Sequence, residues 1–220
     1  MQRVSKSFEQ LGTTSHVFDD VTIDFVQGQS YAIMGASGSG KSTAIHLLAG
    51  IDAPSSGDIF LQDCAISSFS AQQTEQFFAK NISLVFQQAA LFAELTVLEN
   101  VMLKAILAGK VNVQSYDLAH QLLDEVGLAD KAQAYPAMLS GGQQQRIAIL
   151  RAIFIVPQFL LVDEPTGNLD EQAGKQVIDL LMYYHKKYGM GLIMSTHNQQ
   201  IADRMEHQIR VENKKLVFKK

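Results

Sequence analysis

Residues 30–42 read Ser30-Tyr31-Ala32-Ile33-Met34-Gly35-Ala36-Ser37-Gly38-Ser39-Gly40-Lys41-Ser42. A short apolar run, Ser30 to Met34, suits a buried strand. Lys41 to Ala49 suits a helix stopped by Gly50. Between them, Gly35 to Ser42 fits G-x-x-x-x-G-K-[ST] in the strand-then-helix setting that the spacing requires. Glycines let successive backbone N–H groups converge on phosphate oxygens, and the helix start adds a partial positive charge. Lys41 is placed to reach the β and γ phosphates, and the Ser42 hydroxyl to ligate Mg²⁺. The expected cradle is Gly35, Ser37, Gly38, Ser39, Gly40, Lys41, Ser42 and Thr43, and its ligand a nucleoside triphosphate.

A second stretch completes that chemistry. Phe159-Leu160-Leu161-Val162-Asp163-Glu164 is four apolar residues ending in two carboxylates. A parallel strand buried on both faces reads this way, its C-terminal end opening onto the ligand crevice. Asp163 is expected opposite Ser42, holding Mg²⁺ through water. Glu164 is expected to polarise a water for attack on the γ-phosphate. The fold class that follows is α/β, a P-loop NTPase (RecA-like) core.

Outward from these, Val21, Ile23 and Phe25 alternate with polar residues, predicting a half-buried strand ended by Gly28. The middle of the chain turns helical. Ser70 with Gln73, and Thr96 with Glu99, form capping boxes before helices ending near Lys80 and Ala108. Leu118, Leu122 and Val126 mark one face of another helix, ended by Gly127. Ile82 to Phe86 reads as a strand. A helix from Gly141 is expected to reach Val156, before Pro157, and another runs from Asp170 to Tyr188. Leu192 to Ser195 is a further strand, and Gln208 to Val211 with Leu216 to Phe218 a hairpin turning at Asn213-Lys214. The division expected is one domain, with an α/β core from 1–90 and 157–220, an antiparallel β subdomain within it, and an inserted α-helical subdomain over 91–156.

Composition narrows the functions. Hydrophobic residues make up 47% of the 220 and charged residues 18%, which excludes a disordered or fibrous chain. Eighteen Lys and Arg against 22 Asp and Glu leave a net charge of −4, which argues against a nucleic-acid partner. The single cysteine, Cys64, excludes an internal disulfide framework and fits a reducing compartment. The most apolar stretch, Ile147 to Val156, carries Arg151 and falls far short of the roughly 20 residues of a membrane span. Lys214, Lys215, Lys219 and Lys220 read as a solvated tail.

Leu139-Ser140-Gly141-Gly142-Gln143 chooses among nucleotide enzymes. It resembles the signature sequence of ABC ATPases, and the likeness extends over essentially the whole chain. Tyr135-Pro136 precedes it and Arg146 and Arg151-Ala152 follow as in that family. Phe86-Gln87 resembles the Q-loop, Asn168-Leu169-Asp170 the D-loop, and Ser195-Thr196-His197 the switch-histidine motif. Phe8 stands where the family places an aromatic that stacks on adenine. The signature also has a physical reading of its own. Ser140 can cap a helix beginning at Gly141, leaving N–H donors aimed outward, and two glycines allow a phosphate close. Two anion-binding helix starts in different subdomains are more than one nucleotide in one chain fills.

The resemblance implies an ATP hydrolase using ATP and Mg²⁺. Its active form would be a head-to-tail homodimer in which ATP at Lys41 of one copy meets Ser140, Gly141, Gly142 and Gln143 of the other. Gln87 would bridge Mg²⁺ or the attacking water to the helical subdomain, His197 would orient water and γ-phosphate, and Asp170 would position groups across the dimer. Other histidines (His16, His46, His120, His185, His207) match no motif and are read as local polar groups.

Thr166-Gly167-Asn168-Leu169-Asp170 resembles the macrolide-exporter and lipoprotein-releasing branch. That implies separate integral membrane subunits docking around Gln88 to Glu94, with this chain peripheral on the cytoplasmic side of a bacterial inner membrane. A cell-division type of ABC ATPase, signalling to wall hydrolases, shares these motifs. A DNA-repair or translation ABC protein would bring a second cassette, a coiled coil or basic insertions; a small-molecule P-loop kinase has no use for Leu139 to Gln143. Two departures stand out. The chain opens almost directly on Val4 to Phe8, predicting a weak first strand and a loosely held Phe8, and Ala93 replaces a proline common after the Q-loop.

Overall fold

The computed structural model describes residues 1–10, 13–62, 64–66 and 69–219. In chain order the elements are β1 (Gln2–Gln10), β2 (Thr13–Val21), β3 (Ser30–Met34), α1 (Lys41–Leu48), β4 (Ser56–Asp58), β5 (Phe60–Leu61), β6 (Cys64–Ala65), α2 (Ala71–Asn81) and β7 (Ile82–Val85). There follow α3 (Val97–Leu107), α4 (Val113–Glu125), α5 (Gly141–Ile153), β8 (Phe159–Asp163), α6 (Glu171–Tyr188), β9 (Gly191–Ser195), α7 (Gln199–Ala202), β10 (His207–Glu212) and β11 (Lys215–Phe218).

The main sheet runs β11-β10-β3-β9-β8-β7, parallel throughout except for the β10–β11 hairpin. Asn213 and Lys214 both take positive φ at the hairpin turn, at 48° and 61°. Strands β8 and β9 are buried end to end, because both faces are covered. Leu160 and Val162 face a cluster with Ile147 and Leu150 of α5 and Val177 and Leu181 of α6. Phe159 and Leu161 face the other way, onto Ile45 and Leu48 of α1 and Val4 and Phe18 of the antiparallel sheet. Each such fully buried side chain contributes about 1.5–3 kcal/mol.

Register places the chemistry. Ser195 pairs with Ile33 on one side and Asp163 on the other. The loops that leave β3, β8 and β9 therefore emerge together at one edge, where a crevice forms in such sheets.

Strand β1 runs nine residues and pairs with both β2 and β4, so the expected weak first strand is replaced by a full-length one. The strand expected over Val21 to Phe25 instead ends at Val21. Val21 faces Val4; beyond it the Arg3 N–H turns to the Thr22 hydroxyl, and Met1 exchanges two hydrogen bonds with Ile23. Val21 and Ile23 stay buried, so the alternation reported the buried face and overstated the ladder. Helix α5 stops at Ile153, short of Val156; the approach to Pro157 disfavours helical backbone.

The capping boxes at Ser70–Gln73 and Thr96–Glu99 are both formed. Asn100, fully buried, bonds Phe92, Leu95 and Thr96 through one amide and pins the turn before α3. The lysines of the final hairpin are partly tied down: Lys215 bonds the Asp20 carbonyl and Lys219 the Gln208 side chain, while Lys220 lies outside the described residues. Among the described residues no helix is long and apolar enough to cross a membrane.

Candidate functional site

The loop after β3 turns on Gly38 and Gly40, at φ 74° and 107°, and delivers the chain into α1. Gly40 has a second reason to lack a side chain: a Cβ there would come within 2.6 Å of Val17. The buried Lys41 ammonium donates to the carbonyls of Gly35 and Ala36, at 3.2 and 3.1 Å, and lies 3.1 Å from Glu164 Oε1. Ser39 Oγ is buried beside Gly35 without a hydrogen-bond partner.

Asp163 Oδ1 accepts hydrogen bonds from Ser42 Oγ at 3.0 Å and Ser195 Oγ at 2.5 Å. His46 Nε2 lies 3.8 Å from Oδ2. Glu164, next along, has φ 41°, a left-handed conformation costly for a residue with a side chain. Its N–H is held by Ser195 through both Oγ and the carbonyl. Its carboxylate is shared between Lys41 and His197, whose Nδ1 is 3.2 Å from Oε2. Gln87, leaving β7, lies against Gly167, where a Cβ would stand 2.6 Å from Gln87 Nε2. Lys41, Ser42, Asp163, Glu164, Gln87 and His197 thus belong to one edge of the sheet.

The second group lies at the start of α5. Ser140 and Gln143 cap one another reciprocally, satisfying two N–H groups and leaving the helix start open. Gly141 and Gly142 pack on the segment after β8: a Cβ on Gly141 would lie 3.4 Å from Leu169, and one on Gly142 only 2.9 Å from Ala173. Asp170 caps α6 through the Ala173 N–H at 2.9 Å. Phe8 is 37% exposed on β1, with Lys6 Nζ 4.6 Å from its ring centroid. Lys6 is itself fixed by the Ala53 carbonyl and Asp52, so Phe8 rests on a tethered cation and the expectation of a loosely held ring does not hold.

The family model for the ABC transporter matches residues 18–167. The chain belongs to the ABC transporter family. It is similar to the lipoprotein-releasing system ATP-binding protein LolD of Idiomarina loihiensis, 39% identical over 93% of this chain and 90% of that protein. It is 38% identical to an uncharacterized ABC transporter ATP-binding protein of Mycobacterium tuberculosis, over 99% of this chain and 88% of that one. Among solved structures it matches the dimeric post-hydrolysis state of the ATP-binding cassette MJ0796 bound to ADP and Pi. The TM-score is 0.89 at 30% identity, covering 98% of this chain and 94% of that one.

This ABC ATPase therefore hydrolyses ATP, with Mg²⁺ as the metal. Its residues fit both. The orphaned Ser39 hydroxyl, the Lys41 ammonium and the start of α1 form a donor set for phosphate. Asp163 and Ser42 offer a carboxylate and a hydroxyl oxygen side by side, the hard-oxygen set that Mg²⁺ takes along with phosphate and water. Among the described residues no cluster of three or more His, Cys, Asp or Glu could hold a metal ion.

Ser195 is the residue that motif reading undervalued. In sequence it shows only as a strand end and the neighbour of His197, yet it bonds the Asp163 carboxylate and the Glu164 N–H together. His46, read as a local polar group, faces Asp163 from α1; its place one helical turn after Ser42 was the available signal. Three other histidines keep local roles: His16 bonds Ser7, buried His185 bonds the Met190 carbonyl, and His207 stacks on Tyr31.

Proposed function

We propose that two copies of this chain close head to tail around two ATP molecules and that the cycle of closure and hydrolysis drives membrane subunits that release lipoproteins. The supporting observation is the presence of two separate open helix starts, α1 behind the phosphate loop and α5 behind Ser140. In a two-fold dimer the α5 start of each copy meets the nucleotide held at the α1 start of the other, using both surfaces twice. Residues 91–156 then move as a helical subdomain against the core of 1–90 and 157–220, with the loop after β7 as the joint that follows the helices. The closeness to LolD supports lipoprotein release over other outputs of the family, with the chain seated on the cytoplasmic face of an inner membrane.

Within each site, Gly35, Ser37, Gly38, Ser39, Gly40, Lys41 and Thr43 bind the phosphates, and Phe8 stacks on adenine. Bound Mg²⁺ neutralises phosphate charge; Ser42 and Asp163 hold it, with Gln87 completing its surroundings. Glu164 takes the proton of the attacking water. His197, bonded to Glu164, orients that carboxylate and the γ-phosphate. Ser140, Gly141, Gly142 and Gln143 of the opposite copy close over the triphosphate, and Asp170 positions groups across the seam.

Glu164→Gln tests this reading. The variant is expected to bind ATP, lose at least about 100-fold in turnover, and elute as a dimer with ATP. Undiminished turnover removes Glu164 from the role of base. A pull-down from solubilised membranes names the partner: subunits carrying a lipoprotein-handling periplasmic domain support release, and a partner that activates wall hydrolases replaces it with the signalling output.

A further inference from the structure

Helix α5 sends two side chains across to the loop that follows β7. Gln145, only 2% exposed, donates Nε2–H to the Phe86 carbonyl at 2.9 Å. Arg151 donates from Nη1 to the Ala90 carbonyl at 2.8 Å and from Nη2 to the Ala89 carbonyl at 3.0 Å. The anchored carbonyls bracket Gln87 on both sides. Ala90 itself sits at φ 46°, a left-handed conformation that an alanine holds only when its surroundings impose it. Burial lowers the Arg151 pKa from its usual value, yet a guanidinium stays charged, so its donors form strong charge-assisted bonds. The same helix begins at Ser140 and the two signature glycines.

We propose that Gln145 and Arg151 are positioning residues that weld the Gln87 loop to the signature helix, so that Gln87 in one site and Ser140 in the other move as one body. Three side-chain bonds from one rigid helix fix the loop at residues 86, 89 and 90. Neither end shifts without the other. The signature helix then transmits the state of one nucleotide site to the other through a single element. This proposal rests on the roles given above to Gln87 and Ser140.

The test uses the full chain with ATP and Mg²⁺, reading turnover against ATP concentration and hydrogen exchange of the amides of residues 86–92. Arg151→Met keeps the apolar stem and removes the donors. Its kcat is expected to fall about tenfold with KM within twofold, the Hill coefficient for ATP to move toward one, and exchange of the 86–92 amides to speed at least about fivefold. Arg151→Lys keeps the charge and folds where Arg151→Met does not; it is expected to fall between parent and Arg151→Met on every readout. Parent-like kcat, cooperativity and exchange in Arg151→Lys and Arg151→Met overturn the proposal, as does a lowered melting temperature with all three unchanged. Gln87→Ala separates the two levels. If Gln87→Ala turns over at the parent rate, the assignment of Gln87 fails. If it is slow while Arg151→Met is not, only the weld fails.

Discussion

Ser195 Oγ donates to Asp163 Oδ1 at 2.5 Å while it accepts the Glu164 N–H at 2.9 Å. One hydroxyl at the end of β9 thereby orients the Asp163 carboxylate, the last residue of β8, and fixes the backbone of Glu164 just beyond it. The adjacent, in-register strands make this possible, since Ser195 pairs directly with Asp163.

Ser195→Ala is expected to slow hydrolysis about tenfold with little change in ATP affinity, and to lower stability by about 1–3 kcal/mol for a lost bond to a charged group. Steady-state kinetics and urea unfolding check the two halves. A variant with parent turnover separates Ser195 from the reaction and leaves it a structural role.

His197→Ala is expected to retain ATP binding and lose about 100-fold in kcat. The side chain is 67% exposed, so the stability change stays within about 0.5 kcal/mol. Calorimetric titration with ATP alongside turnover decides it. Full activity would leave the His197–Glu164 contact without a catalytic part.

Lys6→Met is expected to raise KM for ATP about two- to fivefold with kcat unchanged, the cation–π contribution of about 0.5–1 kcal/mol expressed in binding. The ammonium now fixes the plane of the Phe8 ring from behind. An unaltered KM in Lys6→Met, with a raised one in Phe8→Leu, would show that the ring needs no such support.

Lys104 supplies a pH dependence. Its ammonium, on α3 against Ser83, is brought down to about 8 from 10.5 by burial and then by the charge of Arg151. Between about pH 8 and 10.5 the unfolded chain holds a proton that the folded one has released, so stability rises with pH across that window, by up to about 3 kcal/mol. Tyr31 and Tyr184 act oppositely, since burial raises both and their advantage is lost only as pH climbs past 10. Chemical denaturation at pH 8, 9 and 10 is expected to show a rise that Lys104→Met abolishes. A flat profile in the parent chain would place the ammonium in water.

The phosphate loop, the acidic end of β8 and the signature were legible in sequence because each is a local pattern with a local cause. Gly38 and Gly40 make a turn, Phe159 to Val162 make a doubly covered strand, and Ser140 with Gln143 makes a cap. What escaped are relationships between distant positions. Gln145 and Arg151 reach 59 to 62 residues back to a loop whose carbonyls have no sequence signature. Ser195 works on Asp163 only because β8 and β9 are neighbours, an order that periodicity does not encode. The reciprocal cap of Asn112 and Ser115 was missed for a simpler reason: Ser115 stands where Glu or Gln ordinarily closes such a box.

The 2.9 Å that a methyl at Gly142 would leave to Ala173 ties two demands to one position. Outward, in the proposed dimer, the glycine keeps the path to the opposite triphosphate clear. Inward, it lets the helical layer rest on the first turn of α6. An alanine at 142 would pry that layer from its own core as well as crowd the neighbour's nucleotide, so intrachain docking and dimer closure weaken in a single step. At Ser140 the two demands separate: within the chain its hydroxyl bonds only the cap of its own helix, so a change there bears on the proposed seam rather than on the layer beneath.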